Sequence, residues 1–286
     1  ELNTTGANNV AVGRSALDSN TTADNNTAVG HASLAANTTG TSNTAVGKSA
    51  LAANITGSNH TALGKDALLV STAGGYDTAL GDSVLKANTT GNYNTGVGAS
   101  ALAANTTASD NTAVGSNSLT ANTTGTRMTS VGSRSGMQNT TGNYNAFFGY
   151  DAGESNTTGA SNTFVGDSAG RETTTASNNT AVGQSALLAN TTGAQNTAIG
   201  TASLTVNTTG LENFAGGYAA LDANTTASYG TAVGARALQR NTTGANNTGL
   251  GYKALFANTT GDSNVGLGSE TLLGNVTGDA NTAVGR

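Results

Sequence analysis

Hydrophobic and polar positions repeat along this chain with a strict period of 17 residues. One glycine marks the register of each repeat, from Gly13 to Gly285, with no insertion or deletion. Two aliphatic columns keep the same phase. One stands directly before the marker glycine, as at Val46, and the other is leucine four residues after it, as at Leu51. A period this short and this strict indicates a solenoid, in which each unit contacts only its neighbours.

Each repeat is predicted to hold two short strands and two turns. Gly, Asn and Thr at this density are poor helix formers, and 17 residues are too few for a helix-pair repeat. In one unit we expect strands at 33–36 and 43–46, and turns at 39–42 and 47–49, where Gly and Asn allow tight corners. Each aliphatic column is expected to form a buried ladder.

The expected fold is therefore an all-β parallel β-solenoid, or β-roll, of strict 17-residue coils. Residues 1–286 form a single repetitive segment of about 17 coils with no linker. Because the chain begins and ends inside a repeat unit, we expect it to be a window of a longer chain.

Charged residues keep the phase of the repeat. Of the 27 charged residues, all but Asp77, Glu172 and Arg240 fall in five of the 17 columns, and we expect these columns to face water. A disordered low-complexity chain would not need such a phase. The net charge of −5 argues against nucleic-acid binding. No apolar run approaches the length of a membrane span, so no membrane insertion is expected.

Exceptions to the repeat predict which columns share one packed space. The leucine column turns to glycine at Gly136, Gly153 and Gly170, and the alanine column nearby carries Phe147 and Phe164. Such an exchange keeps the volume of a core constant. The alternative is that these exceptions coincide by drift.

A similar exchange lies within one strand segment, where Phe214 replaces threonine and Gly216 replaces valine. Residues two apart share a strand face, so both faces of this strand are expected to be packed. One face can be the coil interior and the other needs a partner. We therefore expect a homo-oligomer, most simply with parallel chains around an axis.

The strand segments Asn26-Thr27-Ala28-Val29-Gly30, Asn43-Thr44-Ala45-Val46-Gly47 and Asn196-Thr197-Ala198-Ile199-Gly200 resemble a known repeat. They are similar to the YadA-like head repeats of trimeric autotransporter adhesins and to Asn-Thr-Ala-Val-Gly repeats of phage tail fibres. The resemblance implies a parallel β-roll, a homotrimer about one axis and attachment to a surface. It also implies an extracellular, cell-surface or virion location. The unit here is longer, by the Asn-Thr-Thr-Gly corner.

No catalytic or cofactor-binding residues are expected. The segment Gly166-Asp167-Ser168-Ala169-Gly170 matches the Gly-x-Ser-x-Gly nucleophile motif, but both glycines belong to the repeat and no acid and histidine accompany the serine. His31 and His60 lie in different columns and predict no metal site. We expect no enzyme activity and no cofactor.

One asparagine column carries the strongest polar signal, and each member begins an Asn-x-Thr sequon. Its amides could form a ladder between coils, or each could carry a glycan. Close stacking of the coils favours the ladder. The column comprises Asn3, Asn20, Asn37, Asn54, Asn88, Asn105, Asn122, Asn139, Asn156, Asn190, Asn207, Asn224, Asn241, Asn258 and Asn275.

All seven tyrosines occupy two of the columns expected to face water. Exposed aromatic rings suit stacking on sugars or proteins, so a host-surface glycan or protein is a candidate partner; the alternative is packing at the corners. Tyr144 and Tyr150, beside the phenylalanine exceptions, are hypothesised to form a modified patch. The seven are Tyr76, Tyr93, Tyr144, Tyr150, Tyr218, Tyr229 and Tyr252.

The favoured function is a non-enzymatic structural fibre or adhesin segment, an extracellular spacer with possible surface attachment. The alternative is an ice-binding β-solenoid, since threonine recurs in three columns of the repeat. The sequence lacks an evident Thr-x-Thr strand array for that function. Thermal hysteresis, and the exposure or burial of Thr44, would separate the two.

Overall fold

A computed structural model describes residues 2–286, which divide into two compact units, residues 2–143 and residues 144–286. Each unit is a parallel β-solenoid with one three-residue strand in each 17-residue coil, and residues 2–286 contain no helix. The first unit holds β1–β8 and the second β9–β17. The strands are Val10–Val12 (β1), Thr27–Val29 (β2), Thr44–Val46 (β3), Thr61–Leu63 (β4), Thr78–Leu80 (β5), Thr95–Val97 (β6), Thr112–Val114 (β7), Thr129–Val131 (β8), Ala146–Phe148 (β9), Thr163–Val165 (β10), Thr180–Val182 (β11), Thr197–Ile199 (β12), Phe214–Gly216 (β13), Thr231–Val233 (β14), Thr248–Leu250 (β15), Val265–Leu267 (β16) and Thr282–Val284 (β17).

Within each unit, consecutive strands pair in parallel and in the same register. Each residue lies opposite the residue 17 positions along the chain, as Thr180 lies opposite Thr197. The marker glycine follows each strand because the backbones of successive coils approach closely there. Gly47 has φ +135°, and a Cβ atom at this position would lie 2.6 Å from the carbonyl carbon of Gly64. The predicted period and the strand predicted at 43–46 are confirmed.

The second predicted strand, at 33–36, is wrong. This stretch is a turn in which Leu34 has φ +48°, and Ala32 just before it has φ +57°. Left-handed backbone curls the chain instead of extending it. The coils remain bonded here, since the Leu34 N–H donates to the Ala50 carbonyl at 3.0 Å. A left-handed leucine costs about 1–2 kcal/mol, which burial of its side chain in the core offsets.

The core of each unit is built from the leucine column and the middle residue of each strand. Leu204 and Ala198 are fully buried, so the predicted leucine ladder is confirmed. The predicted burial of the valine column is wrong: 45% of Ile199 and 48% of Leu250 are exposed. Neighbouring residues of a strand point to opposite faces, so burying the middle alanine turns the aliphatic residue outwards.

The sequon asparagines form a buried ladder between coils. The Nδ2 of Asn207 donates to the Oδ1 of Asn190 at 2.9 Å and to the carbonyl of Gly210 at 3.1 Å. Within each unit, the first bond recurs at 2.8–3.3 Å between successive coils that both carry the asparagine. These bonds satisfy amides that burial would otherwise leave without partners.

A second asparagine ladder runs beside the first, formed by the residue before each strand. The Oδ1 of Asn196 accepts the backbone N–H of Asn213 at 3.0 Å, and its Nδ2 donates to the carbonyl of Gly210 at 2.9 Å. The Gly210 carbonyl therefore accepts one bond from each ladder. We term these the sequon ladder and the strand-side ladder. Only the sequon ladder was predicted from the sequence.

Candidate functional site

The outward side of the strands forms a regular surface on each unit. We term it the strand face; it consists of the first and third residues of each strand, mostly threonine and valine. No position of the strand face in β1–β17 carries a charge. It runs along each unit at one strand per coil, a spacing of about 4.8 Å. Its aliphatic row is exposed or half-buried, which is unusual for an apolar surface of this regularity.

Two strands exchange large and small residues on this exposed face. In β13, Phe214 is 40% exposed, and a Cβ atom at Gly216 would lie 3.2 Å from the Phe214 ring. The ring therefore leans over the missing side chain. In β9 the exchange is reversed: Ala146 takes the threonine position and Phe148, 39% exposed, takes the valine position. The prediction of a shared strand face for Phe214 and Gly216 is confirmed, whereas its predicted burial does not occur in the single chain.

The threonine row of the strand face is most regular in the first unit. The first residue is threonine in seven consecutive strands, β2–β8, and each is exposed or half-buried. Thr44 is exposed. Because a second chain could cover it, this exposure leaves both the fibre and the ice-binding hypotheses open.

The seven candidate tyrosines all lie at the surface, with exposed fractions of 47–59%. Tyr76 and Tyr93 stack on adjacent coils, with ring centroids 5.1 Å apart and ring planes 10° apart. Two others have a cation above the ring: Arg236 lies 5.9 Å from the Tyr218 centroid, and Lys253 lies 5.1 Å from that of Tyr252. The hypothesised pair Tyr144 and Tyr150 is exposed on the second unit.

Burial of the sequon ladder excludes a glycan on most coils of the folded chain. The side-chain nitrogen of a residue such as Asn224 already donates two hydrogen bonds inside the core, at 2.8 and 3.0 Å. A sugar would replace one of these protons and would need space that the next coil occupies. Asn3 is exposed and Asn275 half-buried; the residues from Asn20 to Asn258 in the ladder are buried.

An ionisable pair interrupts the strand-side ladder in the first unit. His60 and Asp77 replace asparagine in successive coils, and their side chains are fully buried. The His60 Nδ1 lies 3.5 Å from the Asp77 Oδ2, too far for a well-formed hydrogen bond. Burial lowers the pKa of His60 to about 4 and raises the pKa of Asp77 to about 7. The pair was not predicted from the sequence, although Asp77 is one of the three charged residues outside the columns expected to face water.

Two acidic residues in columns expected to face water are buried. Asp151 is 4% and Glu154 8% exposed. Both lie near the guanidinium of Arg171, whose pKa is raised first by its hydrogen bond with Glu172 and also by the charges of Glu154 and Asp151. The prediction that these columns face water is wrong at these two positions, because a nearby cation stabilises the acids.

The remaining sequence candidates do not form a site together. His31 is exposed, away from the core that holds His60. The Ser168 hydroxyl donates to the Asp167 carboxylate at 3.1 Å, and Gly170 contacts the Phe164 ring. Across residues 2–286, no three His, Cys, Asp or Glu side chains are grouped to hold a metal ion, and no helix that could cross a membrane occurs.

No family model matches the chain, and neither a curated protein nor a solved structure is significantly similar to it.

Proposed function

We propose that this chain is a non-enzymatic structural segment of an extracellular fibre that associates with copies of itself through the strand face. The observation that carries the proposal is the pair of exchanges on that face, Phe214 with Gly216 and Ala146 with Phe148. A side chain that meets only water has no need to balance the volume of its neighbour. A face pressed against a second surface does.

The strand face also has the chemistry of a protein contact. Its uncharged Thr and aliphatic rows resemble the centre of an interface, where charged residues are depleted. A second copy presents rows at the same spacing, so that every coil can make the same contact. In agreement with the resemblance to trimeric adhesin heads, we propose a homotrimer with parallel chains about one axis.

The exposed tyrosines are the proposed means of attachment. Their rings stand in columns outside the strand face, and Tyr76 and Tyr93 form a flat stacked pair. Such rings can stack on a sugar or pack against a host protein. We propose a cell-surface or virion location, in which the solenoid acts as a spacer and the tyrosines contact the surface.

The test is the solution mass of the purified segment, made with a trimerising tag that is then cleaved and measured by light scattering. We expect a mass three times that of the chain. A twofold mass would retain self-association and overturn the number three. A stable β-rich monomer would overturn the proposal.

Matched variants locate the contact. Val182→Asp with Ile199→Asp places two charges on the strand face and should give monomers with unchanged far-ultraviolet circular dichroism. Thr192→Asp with Thr209→Asp places the same charges on an exposed corner row and should leave the trimer intact. Equal effects of the two pairs would contradict the assignment of the strand face.

A second candidate function is ice binding, favoured by the seven consecutive threonines of β2–β8 at one strand spacing. Thermal hysteresis of the wild-type chain tests it directly. If the activity exists, Thr61→Leu with Thr95→Leu should abolish it, whereas Thr90→Leu with Thr107→Leu on the corner row should not. The absence of hysteresis would eliminate this candidate.

A further inference from the structure

Three buried polar atoms without a hydrogen-bond partner lie in one part of the first unit. They are the Oδ1 of Asn54 and both ring nitrogens of His60. The rest of this core is a hydrogen-bonded network, and an unsatisfied buried polar atom costs about 1–3 kcal/mol. Such a concentration marks a place where the core is built differently.

The cause is a truncated residue in the sequon ladder. The next member after Asn54 is Ser71, which is too short to reach the Asn54 Oδ1 as an asparagine would. In a regular coil, a Cβ atom at Gly193 would meet the Nδ2 of the next ladder residue, Asn207, at 2.9 Å. At Gly57 the nearest nitrogen is the Nε2 of His60, at 2.7 Å, in the place of the strand-side amide that lies 3.1 Å from a Cβ atom at Gly210. The imidazole therefore lies beside the Asn54 Oδ1 that Ser71 leaves without a donor.

The opposite edge of the ring faces Asp77. Its Oδ2 accepts the Asn88 Nδ2 at 3.1 Å, and its Oδ1 accepts the Asn94 backbone N–H at 2.8 Å. The remaining direction of Oδ2 points to the His60 Nδ1, 3.5 Å away. A carboxylic acid could donate its proton across this gap, and so could an imidazolium. Without that proton the neutral imidazole can still direct its own N–H to the carboxylate, but the pair then holds an uncompensated negative charge in a fully buried space.

We propose that His60 and Asp77 share one acidic proton in the core beside the gap left by Ser71, and that loss of this proton, which leaves a net negative charge there, opens the adjoining corner, residues 71–77. This coil is then a pH-sensitive weak point of the first unit. The conformational change is local, because coils on both sides keep their regular ladders.

His60 and Asp77 are the titratable groups that face this space. The preceding coil presents Asn43 and Asn54 to it, and the following coil presents Asn88 and Asn94. The nearest charged columns lie on the outer surface. There the Lys65 Nζ is 3.5 Å from Asp66 and 3.9 Å from Asp82, so these charges balance one another away from the core.

The corner itself is suited to opening. It contains two adjacent glycines, Gly74 and Gly75, and the Ser71 hydroxyl reaches only the Ala73 carbonyl, at 3.5 Å. It also links the buried pair to the surface, since Asp77 directly follows Tyr76. Because burial places the pKa of Asp77 near 7, loss of the proton falls within the neutral to mildly alkaline range.

Hydrogen–deuterium exchange of the full chain tests the proposal, with rates corrected for the intrinsic effect of pH. Between about pH 6 and about pH 8.5, protection of amides in 71–77 should fall at least about tenfold. Amides of the regular coils between 190 and 258 should not change. The stacked Tyr76–Tyr93 pair provides a second signal, in near-ultraviolet circular dichroism over the same pH range.

Three variants complete the test. The triple change His60→Asn, Ser71→Asn and Asp77→Asn restores the regular residues and should remove the pH response of 71–77. Asp77→Asn alone should also remove it, which covers a failure of the triple variant to fold. Asp82→Asn, which removes an exposed carboxylate, should leave the response unchanged. Absence of a local response in the wild type, or its persistence in Asp77→Asn, would overturn the proposal.

Discussion

Two regions of the core exchange a large side chain for a small one, with opposite consequences for hydrogen bonding. In the second unit, Phe147 and Phe164 fill the space left where leucine is replaced by Gly153 and Gly170. Cβ atoms at these glycines would lie 2.7 and 2.5 Å from the rings. In the first unit, His60 replaces a strand-side asparagine beside a sequon position shortened to serine. We term these regions the phenylalanine layer and the histidine gap.

The difference lies in what each exchange must satisfy. The two phenylalanine rings stack with centroids 5.4 Å apart, and an apolar exchange needs only to conserve volume. The histidine gap combines a larger ring with a shorter side chain as well, but it leaves polar atoms unpaired. Filling space is therefore sufficient in an apolar layer, whereas a ladder must also conserve its count of donors and acceptors.

The largest expected effect comes from breaking the phenylalanine layer. Phe164→Ala should reduce the free energy of unfolding by about 3–5 kcal/mol, because it leaves a cavity beside Gly170. Adding Gly170→Leu should recover most of the loss, since Ala181 and Leu187 form that pair in the next coil. Denaturant unfolding measures both. If the double variant is no more stable than the single one, the two positions do not share one space.

The titrations of Asp77 and His60 in the histidine gap can be measured separately in two single variants. The raised pKa of Asp77 means that the folded chain holds a proton which the unfolded chain releases. In His60→Asn, stability should therefore fall by about 3 kcal/mol as pH rises from about 4 to about 7.

In Asp77→Asn the slope should reverse. The lowered pKa of His60 means that the unfolded chain binds the proton first, so stability should rise between about pH 4 and 6.5. In the wild type the two slopes oppose each other over that window. Parallel slopes in the two variants, measured by unfolding at several pH values, would contradict this assignment.

A ladder asparagine in a regular coil gives the reference stability effect for the phenylalanine layer and the histidine gap. Asn207→Ala removes one ladder amide and should cost about 1–3 kcal/mol by leaving buried partners unpaired. Thr209→Ala destroys the same sequon from an exposed corner position and should change stability by less than about 0.5 kcal/mol. A large effect of Thr209→Ala, or an intact mass above that of the sequence, would contradict the ladder interpretation.

A smaller loss of stability is expected for the stacked tyrosine pair next to the histidine gap. Tyr76→Ala removes one ring of the stacked pair and should cost about 0.5–1.5 kcal/mol, with loss of near-ultraviolet dichroism. Tyr229→Ala, in the same column of the second unit, is the matched control. Equal losses of signal in the two variants would show that stacking is not its source.

The smallest effect on stability is expected for the tyrosines beside the phenylalanine layer. Replacing Tyr144 and Tyr150 together with alanine should leave the β-type circular dichroism unchanged and weaken binding to host-surface glycan or protein. Binding equal to that of the wild type would remove these two residues from the proposed attachment site.

Much of the fold follows from the period, because a strict repeat gives each column one environment. The strand at Thr44, the leucine ladder and the contact of Phe164 with Gly170 were predictable for that reason. The turn at Leu34 was not, since leucine rarely adopts positive φ and its column gives no sign of it. The outward valine row was missed because an aliphatic column usually indicates burial.

The histidine gap could not be predicted from columns taken singly. His60 and Asn54 belong to columns whose proximity appears only when the chain is folded into a coil. A signal was nevertheless present: His60 and Asp77 occupy the strand-side asparagine column in successive repeats. Two ionisable residues in successive repeats of a column that is otherwise rich in asparagine indicate a modified ladder position rather than a surface position.

The two asparagine ladders also have a direction. In each regular coil the sequon Nδ2 and the strand-side backbone N–H both donate to the preceding coil, as at Asn207 and Asn213. The amide dipoles of a ladder are therefore aligned, and each bond polarises the next. Such a ladder is cooperative, so its hydrogen bonds become stronger as its uninterrupted length grows. Ser71 divides the sequon ladder of the first unit into two shorter ladders.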